Sequence, residues 1–187
     1  MVQASAPPLT LDAFLQLPET QPAREYISKQ VRQKPMPQGE HSLLQVALCK
    51  AIDSAAETQR IAKAFSELRC VFGGAAIVTD VSVFRWQRIP RTSSGRVANR
   101  FELYPDWAIE ILSPDQTPTR PLEKLLHCAE HGTELGWFID SEAESILTLS
   151  SESQIRLIRG SQPLPVLSGL SLDLRVNDVF NWLRLPD

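Results

Sequence analysis

The stretch Tyr104 to Asp140, YPDWAIEILSPDQTPTRPLEKLLHCAEHGTELGWFID, decides how the chain is read. It opens on an apolar run, Trp107 to Leu112, interrupted by one carboxylate, Glu110. Alternation with a period of two places Asp106, Ala108, Glu110 and Leu112 on one face of a strand, and Trp107, Ile109 and Ile111 on the other. Both faces read as buried. A glutamate in such a strand is costly unless it is paired, protonated or bound to a metal, so some neighbouring group must answer its charge.

Downstream of this strand, Ser113 to Thr119 is a polar turn. A helix is predicted from about Arg120 to His131, with Leu122, Leu125, Leu126 and Ala129 as its packing stripe and Gly132 as its C-cap. Leu135 to Ile139, Ser145 to Leu149 and Gln154 to Ile158 read as strands. Val176 to Leu183 reads as a short final helix begun by Asn177 or Asp178.

Upstream, Ala62 to Phe72 and Ala75 to Phe84 predict a hairpin turning at Gly73-Gly74, with Asp80 inside its second strand. Ser42 to Ala56 carries apolar residues at helical spacing, and Ser42 with Gln45 resembles a capping box. Glu25 to Gln33 alternates as a strand or hairpin edge. Thr10 can cap a short helix, Pro18 stops it, and residues 1–8 read as a frayed tail. Strands and helices in this uneven order predict an α/β (α+β) domain over residues 25–187, a mixed sheet flanked by helices, preceded by a tail and short helix over 1–24.

Composition narrows the classes further. With 187 residues, 43 % hydrophobic and 22 % charged, the chain is a globular domain that needs neither metal nor disulfide to fold. A net charge of -3 argues against wholesale non-specific nucleic-acid binding and leaves room for a local basic patch. Cys49, Cys70 and Cys128 fall in no zinc or CxxC spacing and read as reduced thiols. The start has no signal-peptide pattern, and no run reaches the roughly eighteen apolar residues of a membrane span, so a soluble, cytoplasmic protein is expected.

Two acids in apolar strands carry the chemical lead. If the strands of Asp80 and Glu110 are neighbours, about 4.8 Å apart, their carboxylates can meet on one face. Adjacent carboxylates repel, so one holds a proton or a divalent cation joins them. Asp106 lies about 13 Å from Glu110 along an extended strand, too far to share one ion directly. In the alternative, Asp80 ends its strand and Glu110 pairs with an arginine.

Arg85 to Arg100, RWQRIPRTSSGRVANR, is a long loop with five arginines and no acid. Arg85, Arg88, Arg91, Arg96 and Arg100 could neutralise backbone phosphates, and Trp86 could stack on an unpaired base; a merely solvated loop is the alternative. His127 and His131 stand at i and i+4, but HExxH is absent and no third ligand is evident, so they read as structural or surface histidines. The chain has no GxSxG, Walker or GxGxxG motif.

The segments VTDVSVFRW, YPDWAIEILSPDQ, LLHCAEHGTELGWFID and PMPQGEHSLLQ together resemble the Uma-two family, a branch of the PD-(D/E)XK superfamily of restriction-endonuclease-like nucleases. The resemblance runs from about Glu25 to Trp182. It implies a magnesium-dependent (or manganese-dependent) phosphodiesterase site in which Asp80 matches the first acid and Glu110 the acid of the ExK element. The carbonyl of Ile111 would be a further metal ligand, Glu25 and Glu40 lie where accessory acids near the first helix could occur, and Asp106 could be another accessory acid. Thr79 stands where the proline of PD is usual, and Leu112 occupies the lysine place of ExK. The family implies a relocated lysine on the following helix, at Lys124. On a helical wheel, however, Lys124 falls with Arg120, His127 and His131, opposite the leucine stripe, as on a solvated face.

The expected function is a metal-dependent endonuclease acting on nucleic acid, with DNA favoured and a homodimer implied by superfamily habit. A catalytically degenerate nuclease fold serving as a binding or assembly module is the alternative, motivated by Leu112.

Overall fold

The structure is a computed structural model that describes residues 9–114, 116–152 and 154–185. The tail expected over residues 1–8 lies outside the described residues. In chain order the elements are α1 (Leu11–Leu15), β1 (Arg24–Ile27), β2 (Gln30–Gln33), α2 (Gly39–Ala56), β3 (Ala62–Ser66), β4 (Arg69–Phe72), β5 (Ala75–Val78), β6 (Val81–Arg85), β7 (Trp107–Ile111), α3 (Thr119–Glu130), β8 (Leu135–Asp140), β9 (Ser145–Ser150), β10 (Ile155–Arg159) and α4 (Val176–Asn181). They build two sheets, a smaller one ordered β2-β1-β5-β4 and a larger one ordered β10-β9-β8-β7-β6-β3.

The expected hairpin exists, and it is shared between the sheets. Its register runs from Ala62↔Arg85 at the open end to Phe72↔Ala75 at the turn without slipping. Gly73 and Gly74 have φ of +57° and +75°, a two-residue turn that only glycine enters without strain. Halfway along, Glu67 adopts φ +50° and its N–H donates to the carbonyl of Asp80 at 3.2 Å. There the hairpin leaves the larger sheet for the smaller. Asp80 therefore lies at the point of divergence, between β5 and β6, and not inside a strand as the alternation suggested.

β7 is buried at all five positions, as its composition requires. It pairs antiparallel with β6 and parallel with β8, and a parallel pair needs a crossover, which α3 supplies. Trp107, Ile109 and Ile111 pack with α2 and α4 through Leu44, Leu48, Ile52, Val176 and Phe180. Ala108, on the other face, packs with Leu125 and Cys128 of α3 and with Ile77 of the small sheet. Glu110 shares the Ala108 face by alternation and so points toward α3.

Two helices differ from the sequence reading. α2 starts at Gly39, three residues before Ser42, and Gln45 turns into the protein instead of closing a capping box. In α3 the buried residues are Pro121, Lys124, Leu125 and Cys128, whereas Leu126 is 47 % exposed. The wheel assigned the buried side from the leucines alone; the real buried side is rotated, because a lysine there finds carboxylates on the sheet beneath it. α3 ends at Glu130 with His131 as C-cap, and Gly132 follows at φ +111°. Among the described residues no helix is long and apolar enough to cross a membrane.

Candidate active site

Where the two sheets part, strands, helices and turns from across the chain converge on a small set of charged side chains. Register alone brings the acids together. Val81 pairs with Ile109 across β6 and β7, so one step further along the ladder Asp80 stands opposite Glu110. Both are almost wholly buried, at 2 % and 1 % exposure. Asp80 Oδ2 accepts the backbone N–H of Ile111 at 2.7 Å and lies 3.2 Å from Nε2 of His41, while Oδ1 accepts from Nζ of Lys34 at 2.7 Å.

Lys124 reaches the same place from α3. Its Nζ lies 2.8 Å from Glu110 Oε2 and 3.1 Å from Glu25 Oε1, and it donates to the carbonyl of Val78 at 3.1 Å. Glu25, on β1, also accepts the Val78 N–H at 2.8 Å. Burial acts against charge on Lys124, but Glu110, Glu25 and Asp80 outweigh it and hold the ammonium well above the usual lysine range. Burial raises Glu110; Lys124 works against that rise and Asp80 adds to it, leaving its carboxyl well above the ordinary glutamate range. For Asp80 burial also acts upward, but Lys34, the His41 hydrogen bond and Lys124 more than offset it, and its carboxyl lies well below the usual range. Among the described residues, Glu110 Oε1 is buried with no hydrogen-bond partner. An orphaned acceptor of this kind is expensive, and a proton or a bound cation would answer it.

Next to these groups is a cavity of about 120 Å³ lined by Lys34, His41, Glu67, Asp80, Glu110 and Ser113. It adjoins a larger cleft of about 520 Å³, bordered by Glu25, Arg32, Lys34, Ser113, Arg120 and Lys124. Lys34 and Ser113 belong to both, so the buried acids have an aqueous approach on a basic side. Arg32 is paired with Glu123, whereas Arg120 is exposed and makes no ion pair with a described residue.

The other residues singled out in the sequence lie elsewhere. Glu40 is exposed on the first turn of α2, and His41 beside it takes the inward position. Asp106 is at the far end of β7, where Oδ2 accepts the Arg85 N–H at 2.7 Å and Oδ1 pairs with Arg88. Arg85 grips Glu134 through two 2.7 Å hydrogen bonds, and Arg88 lies 4.4 Å from the Tyr104 ring centroid. Trp86 is half-buried against the core, with Arg91 over its ring at 5.7 Å, while Arg91, Arg96 and Arg100 are exposed. β6 has Asp80 at one end and Arg85 at the other, so the arginine loop begins about 17 Å from the acids.

His127 and His131 do gain a third potential ligand. One ligand atom each from His127, Glu130 and His131 lies within 4.8 Å of the others, on the face of α3 toward the glycine turn. Each ring is also bonded to a backbone carbonyl, His127 Nε2 to Phe72 at 3.2 Å and His131 Nδ1 to His127 at 2.8 Å. Phe72 packs against both. Leu112 lies against the core on the α3 side, so its place in the ExK element holds no charge.

His41, Gln45, Lys34 and Glu67 are the site residues that sequence reasoning missed. For the first two a signal existed: His41, Leu44, Gln45, Leu48 and Ile52 form one helical stripe, so two polar side chains stand in line with the core. Lys34 and Glu67 lie in extended and turn segments whose sequence carries no such sign.

A mixed sheet that sets two acids side by side at its rim, with a crossover helix presenting a lysine to them, is a restriction-endonuclease-like fold. The chain belongs to the Uma2 family, described as "Putative restriction endonuclease", whose model matches residues 11–177. It is similar to the crystal structure of "a putative nuclease belonging to DUF820 from Anabaena variabilis ATCC 29413", with a TM-score of 0.91 and 46 % identity over 95 % of this chain and 100 % of that one. Nothing among the curated proteins matches the chain.

Proposed function

We propose that the protein is a divalent-metal-dependent nuclease that hydrolyses phosphodiester bonds in nucleic acid, with DNA as the substrate. The observation that carries this reading is the unpartnered Oε1 of Glu110, a residue that register sets opposite Asp80 across one strand pair. Four carboxylates, Glu25, Glu67, Asp80 and Glu110, gather around two ammonium groups, Lys34 and Lys124. With all four ionised, the two negative charges in excess would match one divalent cation. Asp80, Glu110 and the carbonyl of Ile111 would hold Mg²⁺ or Mn²⁺. Bound there, such an ion supplies a Lewis acid for the phosphate and a water of lowered pKa.

The protein's own groups do the rest. Lys124, kept protonated by three acids, holds Glu110 in place and offers ammonium protons to negative charge developing on a phosphate oxygen. His41 and the Ile111 amide fix the Asp80 carboxylate so that it does not rotate. Arg120 and Lys34 line the cleft and would guide the phosphate backbone, which favours this side over the distant arginine loop. Lys124 also fills the chemical role left open by Leu112, which weakens the case for a degenerate binding module.

Cleavage of plasmid and single-stranded DNA with Mg²⁺ or Mn²⁺, compared between wild type, Asp80→Ala and Glu110→Ala, tests the proposal. Metal-dependent cutting lost in both variants is the expected result; cutting that survives in either overturns the assignment.

A further inference from the structure

Two lysines meet the paired acids, and they are held very differently. Lys124 projects from the packed side of a twelve-residue helix onto Glu110, Glu25 and a backbone carbonyl. Lys34 sits just past the end of β2, on an extended connection, Lys-Pro-Met-Pro-Gln, that enters α2 and whose residues 35–38 are exposed. Its side chain is nevertheless 8 % exposed, because Nζ turns inward to Asp80 Oδ1 at 2.7 Å and to Glu67 Oε1 and Oε2 at 2.9 and 3.0 Å.

Those partners set up a competition. Asp80 Oδ2 is already engaged by the Ile111 amide and His41, so Oδ1 is the oxygen best able to take a cation, and Lys34 is on it. Glu67 is a second acceptor for the same ammonium, 40 % exposed at the cavity's edge and fixed from behind by Gln45 Nε2 at 3.1 Å. Gln45 also holds the Asp80 carbonyl at 2.7 Å, so the alternative seat and the contested one are parts of a single rigid corner.

We propose that Lys34 is an internal counter-cation that gives up Asp80 Oδ1 to a divalent ion and is retained at the mouth of the site by Glu67, facing the cleft where a substrate phosphate enters. This inference rests on the reading of Asp80 and Glu110 as metal ligands. It assigns Lys34 a positioning role that Lys124, locked on three acceptors, does not share. While Lys34 holds Oδ1 it opposes metal binding; once released it adds positive charge where the nucleic-acid backbone arrives.

Calorimetric titration of Mn²⁺ into wild type, Lys34→Met and Glu110→Ala, at fixed salt, separates the possibilities. Lys34→Met is expected to bind Mn²⁺ at least about tenfold more tightly than wild type, since a competing cation beside the site is gone, and Glu110→Ala to lose that binding. In protein labelled with ¹⁵N-lysine, Mg²⁺ should shift the ammonium resonance absent from Lys34→Arg more than any other; this readout needs no destabilised variant. Unchanged or weaker Mn²⁺ binding by Lys34→Met, with binding still lost in Glu110→Ala, overturns the role of Lys34 and leaves the metal site standing. If neither wild type nor Lys34→Met binds Mn²⁺, the metal-site reading fails and this inference with it.

Discussion

Nζ of Lys124 and Oε2 of Glu110 lie 2.8 Å apart, although one projects from a crossover helix and the other from the strand that precedes it. Both side chains are almost wholly buried, at 3 % and 1 % exposure, at the edge of the cavity and cleft. Such a pair holds only while each partner is present, because a lone buried charge is penalised far more than a matched pair is rewarded. Lys124→Met, close in volume, should therefore destabilise the fold by about 3–5 kcal/mol in urea unfolding. The same variant should cut nucleic acid at least about 100-fold more slowly, provided circular dichroism shows it folded at the assay temperature.

The two acids should respond to pH in opposite senses. Asp80 is held below its ordinary value of 3.8, so its pairing stabilises the fold fully above that pH and is lost as pH falls toward its folded value. Glu110 is raised above 4.5, so the folded state binds its proton more tightly, and its contribution declines as pH climbs beyond 4.5. In metal-free thermal melts the advantage of wild type over Asp80→Asn should grow as pH rises toward about 4 and level off above it. Its advantage over Glu110→Gln should shrink, or reverse, as pH rises above 4.5. Two gaps moving in parallel would contradict these environments.

Arginines at the two ends of the sheet should separate stability from binding. Arg88→Ala removes the Asp106 pair and the Tyr104 contact, and should cost about 1 kcal/mol while leaving nucleic-acid affinity unchanged. Arg120→Ala should leave the melting temperature alone, weaken binding for every sequence tested and reduce the salt slope of binding by about 1. Fluorescence anisotropy across a salt series reads both.

At the glycine turn, neighbouring substitutions should differ. A Cβ on Gly73 would fall 2.1 Å from His131 Nε2, whereas a Cβ on Gly74 meets nothing within 4 Å. Both positions share the positive-φ penalty of about 1 kcal/mol, so Gly73→Ala should exceed Gly74→Ala in lost stability by the cost of displacing the imidazole. Equal losses in chemical denaturation would mean that His131 moves freely.

Much of this molecule is legible from residue order because it depends on local pattern. The continuous apolar run of Trp107 to Ile111 needs burial on both faces, Gly73-Gly74 suits a two-residue turn, and a crossover must join the parallel strands β7 and β8. Even the meeting of Asp80 and Glu110 follows once β6 and β7 are neighbours, since register does the rest. What tertiary structure decided is where charge is tolerated. Periodicity treats a lysine as a surface residue, and so it turned α3 the wrong way; Lys124 is buried because carboxylates from β1 and β7, distant in sequence, offset its desolvation. The same closure drew Lys34 and Glu67 inward and moved Asp80 from the middle of a strand to the corner between two sheets. It also committed Arg85 and Arg88 to acids at the other end. Hydrophobic pattern is a property of short segments, whereas the energy of a buried ion belongs to its three-dimensional neighbours, and those are set only when the chain has closed on itself.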